Sequence, residues 1–202
     1  MNIAAIVMAS GFSRRMGKNK LLCEINGRTV VEHILDTVML CAFSSNIVVT
    51  QYDEVDKLAR KRNMEVVYNK NPEMGQSMSL KLGVQSVDNA DVYAFFPADQ
   101  PFVQASTIKR LIDISLKNKR SIIVSSYKNK RGLPVFFPAS FKEELLALTG
   151  DKGARELIGK YSEKVIFVDV NSDIELLDID DENDLIIADN LSRKGHCRIK
   201  KD

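Results

Sequence analysis

The segment IAAIVMASGFSRRMGKNK, residues 3–20, governs how the whole chain folds. Six apolar residues, Ile3 to Met8, open it. That run is too short for a bilayer span and about right for a buried parallel strand. Then the character changes. Gly11 and Gly17 punctuate a loop carrying Arg14, Arg15, Lys18 and Lys20, four cations within seven positions. A small-residue turn at the carboxyl end of a buried strand lets backbone N–H groups approach a ligand. Open α/β sheets bind their ligands at that edge. Clustered cations there favour a polyanion, and a nucleoside triphosphate is the leading candidate. The plain alternative is a solvated basic loop, and the position straight after a buried first strand favours phosphate.

Two familiar phosphate loops are excluded. A Walker A loop needs four residues between its glycines, then Lys and a hydroxyl residue. Five residues separate Gly11 from Gly17, and Asn19 follows Lys18. The dinucleotide fingerprint G-x-G-x-x-G fails because Phe12 and Ser13 follow Gly11.

Composition bounds the remainder. With 202 residues, 45% hydrophobic and 28% charged, the chain has the size and balance of one globular domain. A net charge of +2 gives no global field for nucleic acid or membrane. Its distribution is uneven: residues 169–184 hold eight acidic side chains and no basic one, residues 193–201 five basic and no acidic. Cys23, Cys41 and Cys197 are an odd, scattered set and make no disulfide framework. No secretory leader pattern opens the chain and no apolar run nears the ~18 residues of a membrane span, so a reduced, cytoplasmic protein is expected.

Strand and helix periods alternate downstream. Val30, Val31, Ile34, Leu35, Val38 and Met39 predict a helix within 29–42 with Thr29 as N-cap; His33 on it reads as a surface or boundary residue. Strands are predicted over 46–50, 65–68, 91–96, 121–125 and 165–168, and helices over 54–62 and 104–116. The alternation implies an α/β fold, a mostly parallel sheet with helices on both faces. Residues 1–190 form the domain and 191–202 a basic C-terminal tail, expected to fray.

Several turn-rich stretches sit at element ends. In NKNPEMGQSMS, residues 69–79, Ser77 or Ser79 can cap the helix through Leu80 and Leu82. Asp99, in PADQP after an apolar strand, lies at the same sheet edge as the first loop. Triphosphate chemistry needs magnesium held by one or two carboxylates. YKNKRGLPVFF, residues 127–137, is again basic and turn-rich. In LTGDKGAR, residues 148–155, Thr149 or Asp151 can cap a short helix, and in LDIDDENDL, residues 177–185, Asp180 or Asp181 can cap the last one. With two histidines in the chain, His33 and His196, neither a Ser/His/Asp nor a Cys/His arrangement is expected.

Gly11-x-x-x-Arg15-Met16-Gly17-x-x-Lys20 resembles the signature loop of the MobA-like NTP transferases, and within them the molybdenum cofactor cytidylyltransferases. The resemblance covers roughly residues 3–190 and implies the three-layer Rossmann-like fold of nucleotide-diphospho-sugar transferase type. It implies that Ala9, Ser10 and Gly11 contact the nucleotide and that Arg15 and Lys20 stabilise the transferred charge. Met74 to Leu80 is similar to the family's Gly-Met-Ser-Ser-Ser-Leu, which reads the base; Gly75 and Ser79 take that role here, and Gln76 replaces a Met. Asp99-Gln100-Pro101 matches Gly-Asp-Gln-Pro with Ala98 for Gly, making Asp99 catalytic and a ligand of Mg²⁺. Asp180, in the counterpart of Asp-Ile-Asp-Thr-Pro-Glu-Asp-Leu, is the implied second ligand. Arg131, Gly132 and Pro134 match the acceptor-binding Arg-Gly-His-Pro segment, with Leu133 at its polar position, and Gly150 to Arg155 resembles a wall of the acceptor pocket.

The implied reaction moves CMP from CTP to molybdopterin carrying its metal and releases pyrophosphate, with a molybdoenzyme or its chaperone as a further partner. Such transfers need positioning and charge neutralisation more than covalent chemistry. Guanylyl transfer to molybdopterin, cytidylyl transfer to another phosphate acceptor such as methylerythritol phosphate, and a nucleotide-binding regulator without turnover remain open.

Overall fold

In a computed structural model, which describes residues 1–193, the quoted apolar run forms β1 (Ile3–Ala9), with Ala5, Ile6 and Val7 wholly excluded from solvent. Helix spacing and strand runs then give β2 (Glu24–Ile25), β3 (Arg28–Thr29), α1 (Val30–Met39), β4 (Ser45–Thr50), α2 (Asp53–Arg60), β5 (Glu65–Tyr68) and α3 (Gln76–Gln85). There follow β6 (Val92–Pro97), α4 (Ala105–Lys117), β7 (Ile122–Tyr127), β8 (Lys130–Pro138), α5 (Lys142–Ala147), α6 (Ala154–Lys160), β9 (Val165–Asp169) and α7 (Glu182–Leu191).

Seven strands make one sheet in the order β5-β4-β1-β6-β8-β7-β9, and β2 and β3 make a separate hairpin. β8 alone runs antiparallel to its neighbours, because the tight turn at Lys128 and Asn129 returns the chain directly beside β7. The expected mostly parallel sheet with helices on both faces is therefore observed. β1 lies between β4 and β6, so its carboxyl end opens at the centre of the sheet, where a ligand can reach the backbone.

Each sheet face carries its own apolar cluster. One joins Val7, Phe96 and Phe136 to Val31, Ile34 and Ile108; the other joins Ile6, Phe95 and Phe137 to Leu80, Leu145 and Leu157. Gly83 lets α3 sit directly on β1: a β-carbon there would stand 2.4 Å from Ile6 Cγ2. Gly83→Val is expected to destabilise the fold by about 3 kcal/mol through overpacking. Urea unfolding checks this; an unchanged midpoint would mean that α3 can lift off the sheet at little cost.

Several local expectations are corrected. His33 is buried, not a boundary residue: its Nε2–H donates to the Ile25 carbonyl at 3.2 Å and ties the β2–β3 hairpin to α1. Burial lowers its pKa, so it stays neutral and structural. Thr29 does precede α1, and Glu32 accepts from both its N–H and its hydroxyl. Neither Ser77 nor Ser79 caps α3. Gly75, at φ 87°, is the N-cap, two residues before Ser77, and both serines are buried inside the helix. α6 is capped by neither Thr149 nor Asp151; its N-cap is Gly153. No helix among the described residues is long and apolar enough to cross a membrane. Cys197, His196 and the tail beyond residue 193 lie outside the described residues.

Candidate nucleotide-binding site

A cleft of about 430 Å³ opens at the carboxyl ends of β1 and β6. Its floor is Met8 and Pro97, register partners on those strands, and its rim carries Ser10, Gly11, Arg15, Lys20, Asp99 and Asp180. The loop after β1 is braced at both ends. Ser10 donates its hydroxyl to the Val49 carbonyl, Tyr52 donates to the Gly11 carbonyl, and the Ser13 hydroxyl accepts the Lys20 N–H. Between them Met16 is buried in a small third cluster with Ile25, Val30, Phe102, Ile179 and Ala188. That anchor turns the neighbouring Arg15 outward toward the segment before α7.

The charged side chains meet there. Lys20 Nζ lies 2.6 Å from Asp99 Oδ2 and 3.0 Å from Asp180 Oδ1, and Arg15 Nη1 lies 2.7 Å from Asp180 Oδ2. The Lys20 side chain is only 12% exposed. Burial pulls its pKa down, but the Asp99 and Asp180 carboxylates raise it more, and the net shift is upward, so it stays an ammonium. Asp180 loses some solvation, yet the hydrogen bonds from Lys20 and Arg15 hold its carboxyl below the usual range.

Two backbone and side-chain ties register the carboxylates. The Ile179 N–H donates to the Asp99 carbonyl at 2.9 Å, and Gln100 Nε2 donates to Asp178 Oδ1 at 2.8 Å. Asp178 is pushed upward in pKa by burial and by neighbouring Asp99, partly offset by the Gln100 hydrogen bond. Asp181, not Asp180, caps α7: its Oδ1 accepts from the N–H groups of Asn183 and Asp184 at 2.9 and 3.0 Å. The Asp180 side chain is thereby free to face the loop cations.

The stretch expected to read the base borders the same cleft. Gly75, Gln76 and Ser79 line it beside Pro72 and Glu73. Gly75 is held by its surroundings as well as its φ, since a β-carbon would stand 2.5 Å from Asp151 Oδ1 and 2.7 Å from the Gly150 backbone. Asp151 accepts the Gln76 N–H at 3.3 Å, so the 150–153 loop seats on the start of α3. Arg131, Gly132 and Pro134 are not among the cleft's lining residues. Gly132 lies against Leu176, Pro134 is buried, and Arg131 lines a separate hollow.

Among the described residues, no three His, Cys, Asp or Glu side chains converge to hold a metal. Asp99 and Asp180 instead form a two-carboxylate pair with a cation, the Lys20 ammonium, already seated between them. An all-oxygen pair of that kind fits Mg²⁺, which is held by one or two carboxylates and completes its shell with water and phosphate oxygens.

A mostly parallel sheet whose first loop presents cations to carboxylates at its open edge has the layout of the α/β domains that bind ligands there. The chain belongs to the MobA-like NTP transferase domain family, whose model matches residues 5–165. A probable molybdenum cofactor guanylyltransferase of Pyrococcus horikoshii is 32% identical over 100 residues, 48% of this chain and 52% of that protein. The chain thus spans about half the length of that relative. Among solved structures, a nucleotidyl transferase from Methanothermobacter superposes with a TM-score of 0.81 at 25% identity, covering 96% of this chain and 99% of that one. Rv0371c of Mycobacterium tuberculosis, solved in complex with manganese, superposes with a TM-score of 0.78 at 25% identity, covering 94% and 99%.

Arg15, Lys20, Asp99 and Asp180 are named in the sequence as site residues; Met16 is named there only as a motif position and Asp151 as a candidate helix cap, and Asp178 is given no role. Met16 carried a signal, as one of two large apolar residues, with Phe12, in a cationic loop. The actual contacts of Asp151 and Asp178 carried none, because their partners lie 75 and 78 residues away along the chain.

Proposed function

We propose that this chain is a Mg²⁺-dependent nucleotidyltransferase that moves CMP from CTP to a phosphorylated acceptor, molybdopterin carrying its metal. The carrying observation is the bridge Asp99–Lys20–Asp180–Arg15 at the cleft's rim, two cations and two carboxylates with, among the described residues, no nucleophile–base pair beside them. A phosphate oxygen of the acceptor attacks the α-phosphorus of CTP. A new P–O–P link forms, the bond from the α-phosphorus to the bridging oxygen breaks, and pyrophosphate leaves with that bond's electrons. Arg15 and Lys20 bind the triphosphate and take up charge as it moves to the leaving group, while the backbone at Ser10 and Gly11 orients it. Asp99 and Asp180 would hold Mg²⁺, which supplies charge neutralisation at the phosphate oxygens.

The family fits this reading, and the Pyrococcus horikoshii relative favours molybdopterin as acceptor and GTP as a second candidate donor. CTP is favoured by the resemblance of Met74 to Leu80 to the cytidylyltransferase segment, with the buried Ser79 on the cleft wall. A pocket that hydrogen-bonds one base edge rejects a base that leaves its polar groups unpaired. Pyrophosphate release measured with each of the four nucleoside triphosphates, with and without molybdenum cofactor, tests the reading. Acceptor-dependent release with CTP at more than about tenfold the kcat/KM of GTP is expected, and Ser79→Ala should erode that ratio more than it weakens triphosphate binding. Preference for GTP would move the donor assignment and leave the phosphate chemistry standing. No release with any nucleotide would leave a binding protein.

A further inference from the structure

A second hollow on the cleft's own sheet face is unused by the nucleotide site. Met8 and Pro97, the cleft floor, are register partners, and Met8 packs in the apolar cluster of the α3, α5 and α6 side. On β7, Val124 belongs to that cluster and stands opposite Phe167 of β9. One step nearer the open edge, Ser126 stands opposite Arg131 of β8 and Asp169 of β9. With Asn129 these residues enclose a hollow of about 370 Å³. β6, β7 and β9 run the same way, so both hollows lie at the carboxyl edge on one face. β8 is one strand from β6 and β9 is three, a lateral reach of roughly 5 to 14 Å.

Its chemistry is specific. Phe167 is 48% exposed, a flat apolar plate open to water on the sheet's last strand. The Arg131 guanidinium carbon stands 5.6 Å from the ring centroid, and among the described residues Arg131 has no carboxylate partner. Asp169 Oδ1 accepts the Ser126 hydroxyl at 2.7 Å; its Oδ2 has no donor among the described residues. An aromatic plate, a planar cation and an open carboxylate oxygen together complement a flat heterocycle that bears amino and ring N–H donors.

We infer that this hollow is the subsite for the heterocyclic end of the acceptor: the ring lies against Phe167 and Arg131, its N–H donors bond Asp169, and its phosphate arm reaches across β8 to Asp99. The inference rests on the acceptor reading above. It adds Phe167, Asp169 and Ser126 as residues that select the acceptor without touching the nucleotide.

The test uses the full chain and pterin-6-carboxylate as probe, its fluorescence followed on titration. Wild type is expected to bind the probe, with at least tenfold weaker binding in both Phe167→Ala and Asp169→Asn. In the transfer assay the same variants should raise the KM for the acceptor at least tenfold with the KM for CTP unchanged. Absence of probe binding to wild type, or variants that match wild type in probe affinity and acceptor KM, overturns the inference. So does an equal rise in the KM for CTP, which marks a structural role. Normal transfer that these variants leave untouched defeats the subsite alone. Probe binding lost in the variants, in a chain that transfers nothing, defeats the enzymatic reading and leaves the subsite.

Discussion

Asp99→Asn folds normally and loses at least a hundredfold in turnover at every magnesium concentration. The substitution keeps the shape of the side chain and removes the charge that pairs with Lys20 and would hold Mg²⁺. Losing one charge contact made at the transition state costs on the order of 3 kcal/mol, which is about that factor. The tie from Ile179 N–H to the Asp99 carbonyl is backbone to backbone, so the segment that carries Asp180 stays in place. Thermal melts and pyrophosphate release on one preparation check both halves. Asp180→Asn should behave alike, since Asp181 does the capping and the helix loses nothing. An active Asp99→Asn enzyme with unchanged magnesium dependence would move the metal to other oxygens.

Lys20→Met acts in two directions. Turnover falls by about a hundredfold, because the triphosphate loses a positioned cation. Metal affinity of the nucleotide-free protein rises, because Lys20 otherwise occupies the space between Asp99 and Asp180 and neutralises both. Mn²⁺ titration followed by electron paramagnetic resonance, without nucleotide, reads the second effect apart from activity. Several-fold tighter binding in the variant is expected. Equal binding in the two proteins would mean that the lysine and the metal do not share the carboxylates.

The parts of the site that were legible in the sequence are those whose meaning is local. An apolar run followed by a small turn and four cations states a strand, an edge and a charge in one stretch, and Ile3 to Lys20 does what that pattern implies. Asp99 was legible for the same reason, as the carboxylate closing an apolar strand. The choice between Asp180 and Asp181 was not, because adjacent aspartates before a helix look alike until the α7 amides select one of them. The false helix caps share one cause. Ser77, Ser79, Thr149 and Asp151 all have capping chemistry, yet Gly75 and Gly153 take the cap positions, and Asp151 serves a helix 75 residues away. The β7–β8 reversal, which sets β8 antiparallel, turns on two residues with positive φ, Lys128 and Asn129, in a stretch rich enough in turn formers to allow several paths.

The tie between the Asp99 carbonyl and Ile179 bears on how the protein is made. Synthesis runs from the amino end, so β1, the cationic loop and Asp99 leave the ribosome long before residue 180. In that interval Arg15 and Lys20 lack Asp180, and Met16 lacks the Ile179 and Ala188 that complete its cluster. The segment matched by the family model ends at residue 165, ahead of all three late partners. A nascent chain can thus hold most of its sheet, and the early braces of the loop after β1, while Arg15, Lys20 and Met16 still lack their late partners, and the site matures as the last helix emerges.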